Sequence, residues 1–242
     1  MADGTEIEES NGVGSSFAIS SNGYLLTNKH VVRETWEELN LPAKKRGLED
    51  LGKRTGMTLT PTVWVFFGKK NKFVAQIVHI SPDHDLAILK IDREEGPYFR
   101  LSTLDSPPRG SKVSAFGFPW ATRQAVTEDD ALEKLFRNER ITLAMKAGRR
   151  VKVEERYNDD YFNFDRTTGT VTRVRSDSDS KWIQHEATIH GGNSGGPLLT
   201  DDGTVVGINT WKHKQAAGVQ MSLSMPQLRK EIDKHVPGVV WQ

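Results

Sequence analysis

"HEATIHGGNSGGPLLTDDGTVVGINTW", residues 185–211, decides how this chain is read. Gly191, Gly192, Gly195 and Gly196 crowd around Ser194, between two runs of strand-forming residues. Glycine weakens a strand, so a cluster of it marks a place where the backbone must bend or be approached closely. "GNSGG" fits the Gly-x-Ser-x-Gly pattern of a nucleophile elbow, but an elbow turns from strand into helix. Here Gly195, Gly196 and Pro197 follow at once, and then a second run with a turn at Asp202-Gly203. An elbow would also have to draw its acid from Asp201 or Asp202 and its base from His213 or His235. The context fits a bent loop between strands.

A serine in such a loop becomes a nucleophile if an imidazole takes its proton, a carboxylate orients that imidazole, and backbone N–H groups receive the oxyanion. His30 closes "LLTNKH" at a strand-to-helix corner, and Asp85 opens the apolar run "DLAILKI". Gly191 and Gly192 let the chain bend so that the amides of Gly192 and Ser194 converge, with Asn193 between them. Asp83 lies in the turn after Pro82 and is the weaker carboxylate candidate.

The 242 residues suffice for one large domain or two half-domains, and 36% hydrophobic with 27% charged residues describes a globular chain. A formal charge of +1 gives no field for nucleic acid or an anionic membrane, so neither is expected as a partner. With no cysteine, disulfides, zinc ribbons and thiol nucleophiles are excluded. "MADGTEIEESNG" has neither the basic start nor the apolar core of a secretory signal, and no apolar run approaches about 20 residues. A cytoplasmic protein is expected on these grounds, with residues 1–11 as a flexible tail.

Along the chain, residues 12–32 read as two strands joined at Asn22-Gly23 by a type I′ turn. Residues 35–60 carry mixed charge and weak helical spacing, an inserted excursion. Residues 63–91 give a hairpin around Gly68–Lys72 and a further strand after Ser81-Pro82. The proline-rich "STLDSPPRG" at 102–110 separates the halves, about 12–104 and 110–225. A second excursion at 120–165 includes a helix candidate capped by Thr127. Strands resume at 169–174, 181–189, 196–200, 203–211 and 217–225, and an amphipathic helix at 226–236 begins with Pro226.

"TNKHVV", "DLAILKI" and "GNSGGPL", in that order, resemble the chymotrypsin-fold serine peptidases, most closely the HtrA/Deg-type branch; "GINTW" and "MSLSMPQLRKEI" extend the likeness to about Ile232. The resemblance implies an all-β fold of two antiparallel six-stranded barrels with helical insertions and a C-terminal helix. It implies a cleft between the barrels holding His30, Asp85 and Ser194, and an oxyanion hole at Gly192, Asn193 and Ser194. Thr188 is implied at the base of the S1 pocket, with Ile189, Thr210 and Trp211 as walls. No acid stands there, so a small or apolar P1 side chain is expected over Lys or Arg.

Two features depart from the pattern. Asn193 replaces the aspartate that pairs with a new N-terminus in secreted trypsin-like enzymes, so activation by such cleavage is not expected. The C-terminal PDZ module usual in the branch is not in this sequence. The 120–165 excursion would neighbour the oxyanion and specificity loops and invites a role in gating by a protein effector, against a plain surface insertion.

Other residues have ordinary readings. His185, Glu186 and His190 miss the His-Glu-x-x-His metal motif because Ile189 stands where the second histidine belongs. His79, His84, His213 and His235 read as solvated or core-edge residues, and residues 146–156 as a solvated basic face. The function expected is serine endopeptidase on protein or peptide substrates, without metal or cofactor; the alternative is a silent scaffold that binds partners.

Overall fold

The computed structural model describes residues 14–55, 58–68, 71–104, 107–118, 164–177, 179–212 and 219–242. The expected tail at 1–11, the helix after Thr127, the basic run 146–156, His213 and nearly all of the 120–165 excursion lie outside them. Among the described residues no helix is long and apolar enough to cross a membrane.

The first half is one antiparallel sheet of β1 (Phe17–Ala18), β2 (Tyr24–Thr27), β3 (Val63–Phe66), β4 (Lys72–Ile80) and β5 (Ala87–Ile91), in the order β1-β2-β5-β4-β3. Six strands were expected; five pair among the described residues, as a half-barrel. The period-2 alternation of β5 gives the sheet two apolar faces. Ala87, Leu89 and Ile91 join Leu25 and Val65 on one face, and Leu86 and Ile88 join Leu26 on the other. The turn at Asn22-Gly23 is not type I′, which needs positive φ at both residues: only Gly23 has it, at +86°. The ladder closes instead at Ile19 and Tyr24, leaving a four-residue loop in which the Ser20 hydroxyl donates to Asn22 and accepts from the Tyr24 N–H.

Two helices leave this sheet, α1 (Lys29–Asn40) and α2 (Pro42–Thr55). The excursion thus starts at the end of β2, directly beside His30. Pro42 disfavours helical backbone at the preceding Leu41, which is extended at φ −88° and ψ 122°, and Pro42 then opens α2. Val32 of α1 anchors the pair in the cluster around Leu89.

The second half closes into a barrel of β6 (Lys112–Gly117), β7 (Asp165–Ser176), β8 (Lys181–His185), β9 (Pro197–Thr200), β10 (Val205–Lys212) and β11 (Gln220–Ser224), in the order β10-β11-β8-β7-β6-β9. Its interior is filled by residues including Val113, Val171, Ile183, Leu198 and Val206. A 3₁₀ turn at Pro226–Leu228 leads into α3 (Arg229–His235). Leu228 and Ile232 of this final segment join Ile88 and Leu26 of the first half and Ile208 and Leu223 of the second in one cluster, so the halves share a core.

The linker between the halves is stitched on both sides. The amide of Ser102 donates to Val205 and that of Val205 to Arg100, while Leu101 donates to Val240, Gln242 to Leu101 and Thr103 to Gln242, all at 2.8–2.9 Å.

Candidate active site

His30 sits in the first turn of α1, and Asp85 in the loop between β4 and β5. Asp85 holds His30 twice: its Oδ2 lies 2.7 Å from the ring Nδ1, and its Oδ1 accepts the His30 backbone N–H at 3.0 Å. This fixes ring position and tautomer together and leaves Nε2 for chemistry. Asp83 makes no such contact and lines a cavity of about 340 Å³ beside the pair, with Lys29, Arg33, Asp177 and Trp182.

Ser194 lies across the cleft in the glycine loop before β9. Its hydroxyl donates to the Thr210 carbonyl at 3.0 Å rather than to His30. The three residues are nonetheless tied into one network through Asn28, which the sequence reading missed. The fully buried Asn28 amide donates to the Asp85 carbonyl at 2.9 Å and to Thr210 Oγ1 at 3.2 Å. One side chain thus spans the halves, from the main chain of Asp85 to Thr210, whose carbonyl accepts the Ser194 hydroxyl.

The loop backbone is held on every side. A turn closes from the Asn193 N–H to the His190 carbonyl at 3.0 Å, with Gly192 at φ +98°, where a side chain would be strained. Gly195, at φ +87°, ladders with β10: its N–H reaches the Asn209 carbonyl, and the Gly196 carbonyl takes the Asn209 N–H, both at 2.8 Å. A Cβ on Gly195 would strike Ser15 and Thr27. Ser15, also missed, is the linchpin here. Its N–H donates to the Ser194 carbonyl at 2.8 Å, and its hydroxyl donates to the Gly192 carbonyl at 2.7 Å and accepts the Phe118 N–H at 2.9 Å. Among the described residues neither the Gly192 nor the Ser194 N–H donates a hydrogen bond, so the loop keeps two amide donors in reserve. Asn193 is fully buried with neither side-chain atom bonded among the described residues. An unpaired carboxylate at that position would cost far more than the neutral amide.

Beneath this loop Asn209 donates from its side chain to the Phe116 and Pro197 carbonyls, at 3.0 and 3.1 Å, so its Oδ1 is left to accept the Ser222 hydroxyl at 3.1 Å. Ser222 must then accept from His185 Nε2 at 2.9 Å, which makes His185 the neutral Nε2–H tautomer. Burial pushes its pKa down to about 4, with the Ala187 backbone working the other way.

Of the residues expected to form S1, the three whose side chains are described are not gathered into one wall. Thr188 is exposed and its carbonyl accepts the Thr167 hydroxyl. Ile189 points into the barrel core with Val113 and Leu198. Thr210 is buried in the inter-half network, and the Trp211 side chain lies outside the described residues.

Residues 14–208 match the trypsin-like peptidase domain family. A "probable periplasmic serine endoprotease DegP-like" of Marinomonas sp. is 26% identical over 215 residues, 88% of this chain and 33% of that protein. One from Chlamydia trachomatis is 28% identical over 197 residues, 81% of this chain and 28% of that protein. The chain therefore spans about a third of the length of these relatives. In structure it is similar to a serine endoprotease from Yersinia pestis (TM-score 0.58, 20% identity, 94% of this chain and 59% of that one). It is also similar to the HtrA-type protease AlgW with a decapeptide (TM-score 0.59, 20% identity, 93% and 52%). These likenesses bear out the double-barrel fold. The relatives' compartment overturns the cytoplasmic reading: they are named periplasmic. A cysteine-free chain of near-zero charge suits either side of an inner membrane, so composition could not separate the two.

Proposed function

The chain belongs to the trypsin-like peptidase family, and from that premise we propose that it is a serine endopeptidase in which His30, Asp85 and Ser194 do the chemistry. The observation that carries this is the doubly held His30–Asp85 pair, linked through Asn28 and Thr210 to a serine whose loop has two amides, of Gly192 and Ser194, that donate to nothing among the described residues. Rotation about χ1 takes the Ser194 hydroxyl from the Thr210 carbonyl to His30 Nε2. As Oγ bonds to the scissile carbonyl carbon, its proton passes to Nε2, and the carbonyl electrons move onto the oxygen, received by the Gly192 and Ser194 N–H groups. Collapse of this adduct breaks the C–N bond, and His30 gives the proton to the leaving amine. Water, deprotonated by the same ring, then releases the acyl group and restores Ser194. Asp85 keeps its charge throughout and supports the imidazolium.

Protein or peptide segments are the substrate class this reading entails, and the decapeptide held by AlgW is in keeping with it. Small or apolar P1 residues are expected, because none of the proposed S1 residues Thr188, Ile189, Thr210 and Trp211 is an acid; the Ile189 side chain is turned into the barrel core, so that residue would shape the site through its backbone. The relatives' periplasm is the setting proposed for these substrates. A fluorophosphonate probe tests the reading: labelling of the native chain that is absent in Ser194→Ala supports an activated serine. An unlabelled native chain would leave a partner-binding scaffold in its place.

A further inference from the structure

Glu231 lies on α3, beyond the strands of both halves, yet its carboxylate reaches the loop that carries Asp85. Ser81 opens that loop and is almost completely buried. Its N–H donates to the Leu86 carbonyl at 3.0 Å, and its own carbonyl accepts Lys29 Nζ at 2.7 Å. Its hydroxyl works in both directions, accepting the His84 N–H and donating to Glu231 Oε1, each at 2.9 Å. The first of these bonds closes the turn immediately before Asp85. The second decides which way the hydroxyl points, because a carboxylate can only accept. The other oxygen, Oε2, lies 2.6 Å from His79 Nε2, so both are engaged in a site where Glu231 and His79 side chains are 21% and 18% exposed.

We propose that Glu231 is a positioning residue for the His30–Asp85 pair, acting through the Ser81 hydroxyl on the turn that presents Asp85; the inference rests on the peptidase reading of that pair. Among the described residues, His79 from β4 bonds the carboxylate, His235 on α3 feels both it and Lys234, and Lys29 from α1 grips the same turn. His79 stacks on His235 at 4.1 Å and 15°, which holds the ring against the carboxylate. Burial, and after it His79 and Lys234, lower the pKa of His235, against the pull of Glu231. With Glu231 removed, Ser81 is free to turn, the His84 N–H loses its fixed acceptor, and Asp85 can drift from His30. A misplacement of about 1 Å at a catalytic group costs up to about 100-fold.

The test compares Glu231→Ala, Glu231→Gln and Ser81→Ala with the native chain, with turnover of a peptide substrate normalised to sites labelled by fluorophosphonate. Glu231→Ala should lose about tenfold in kcat per labelled site at unchanged KM. The acid limb of its kcat/KM profile should move to lower pH, because the imidazolium loses part of its support. Glu231→Gln, which still offers Ser81 an acceptor, should recover most of the loss; should Glu231→Ala fail to fold, Ser81→Ala carries the same expectation. Unchanged kcat and acid limb would overturn the proposal. The low-field proton resonance of the His30–Asp85 hydrogen bond gives a readout that needs no turnover. Broadening in Glu231→Ala supports the positioning role even if the native chain proves not to be a peptidase; an identical resonance refutes it.

Discussion

Asp85 already grips His30 twice, at 2.7 and 3.0 Å, whereas the hydroxyl of Ser194, across the cleft, is engaged on the Thr210 carbonyl at 3.0 Å. On the His30 side the bonds in place are those the proposed reaction would use. On the Ser194 side it is the backbone that is fixed, through Ser15 and Asn209, while the proposed nucleophile is engaged elsewhere and must turn from Thr210 before it can act. Breaking the Ser194–Thr210 bond costs about 1 kcal/mol net, a small part of any catalytic barrier. Preorganisation is thus divided between side chains in one half and main chain in the other.

Asp85→Asn tests that division most severely. It leaves the fold but favours the wrong imidazole tautomer, and kcat should fall by about 10⁴; a loss under tenfold would mean that the side-chain grip matters little. The second test concerns the floor beneath the nucleophile loop. His185 has a folded pKa of about 4 against an ordinary 6.5. Above pH 6.5 neither state binds the proton. Between 6.5 and 4 the unfolded chain takes a proton that the folded one refuses, so stability falls with pH and levels off below about 4. The full loss is about 3 kcal/mol. Urea unfolding should therefore show the stability gap between the native chain and His185→Gln narrowing by that amount from pH 7 to pH 4; a constant gap refutes it. The smallest effect belongs to Ser15→Ala, which frees the Gly192 carbonyl. About tenfold in kcat with KM unchanged is expected, the worth of roughly one buried hydrogen bond. A rise in KM alone would instead assign Ser15 to substrate binding.

Much of this site was legible because its residues obey strong local rules. The alternating "DLAILKI" announces a strand buried on two faces, and the glycines around Ser194 announce a loop that no side chain could follow. Asn28 and Ser15 gave no such signal: their importance lies in partners at Thr210 and Gly192, each more than 170 positions away, and no periodicity records a partner so distant. Ile189 differs: the resemblance put it on an S1 wall, whereas it keeps the buried face of Ile183, six residues earlier, and its side chain fills the barrel. The turn at Asn22-Gly23 misled because its dipeptide favours type I′, whereas the Ser20 hydroxyl closes a longer loop.

The stitched linker has a mechanical consequence. Leu101–Thr103 is threaded between Val205 and residues 240–242, and Leu101 runs parallel to both Val205 and Trp241. A pull on Gln242 along its strand loads the bonds at Leu101 and Thr103 in shear, together rather than one at a time, and the load enters at the seam between the halves instead of prying the cleft open.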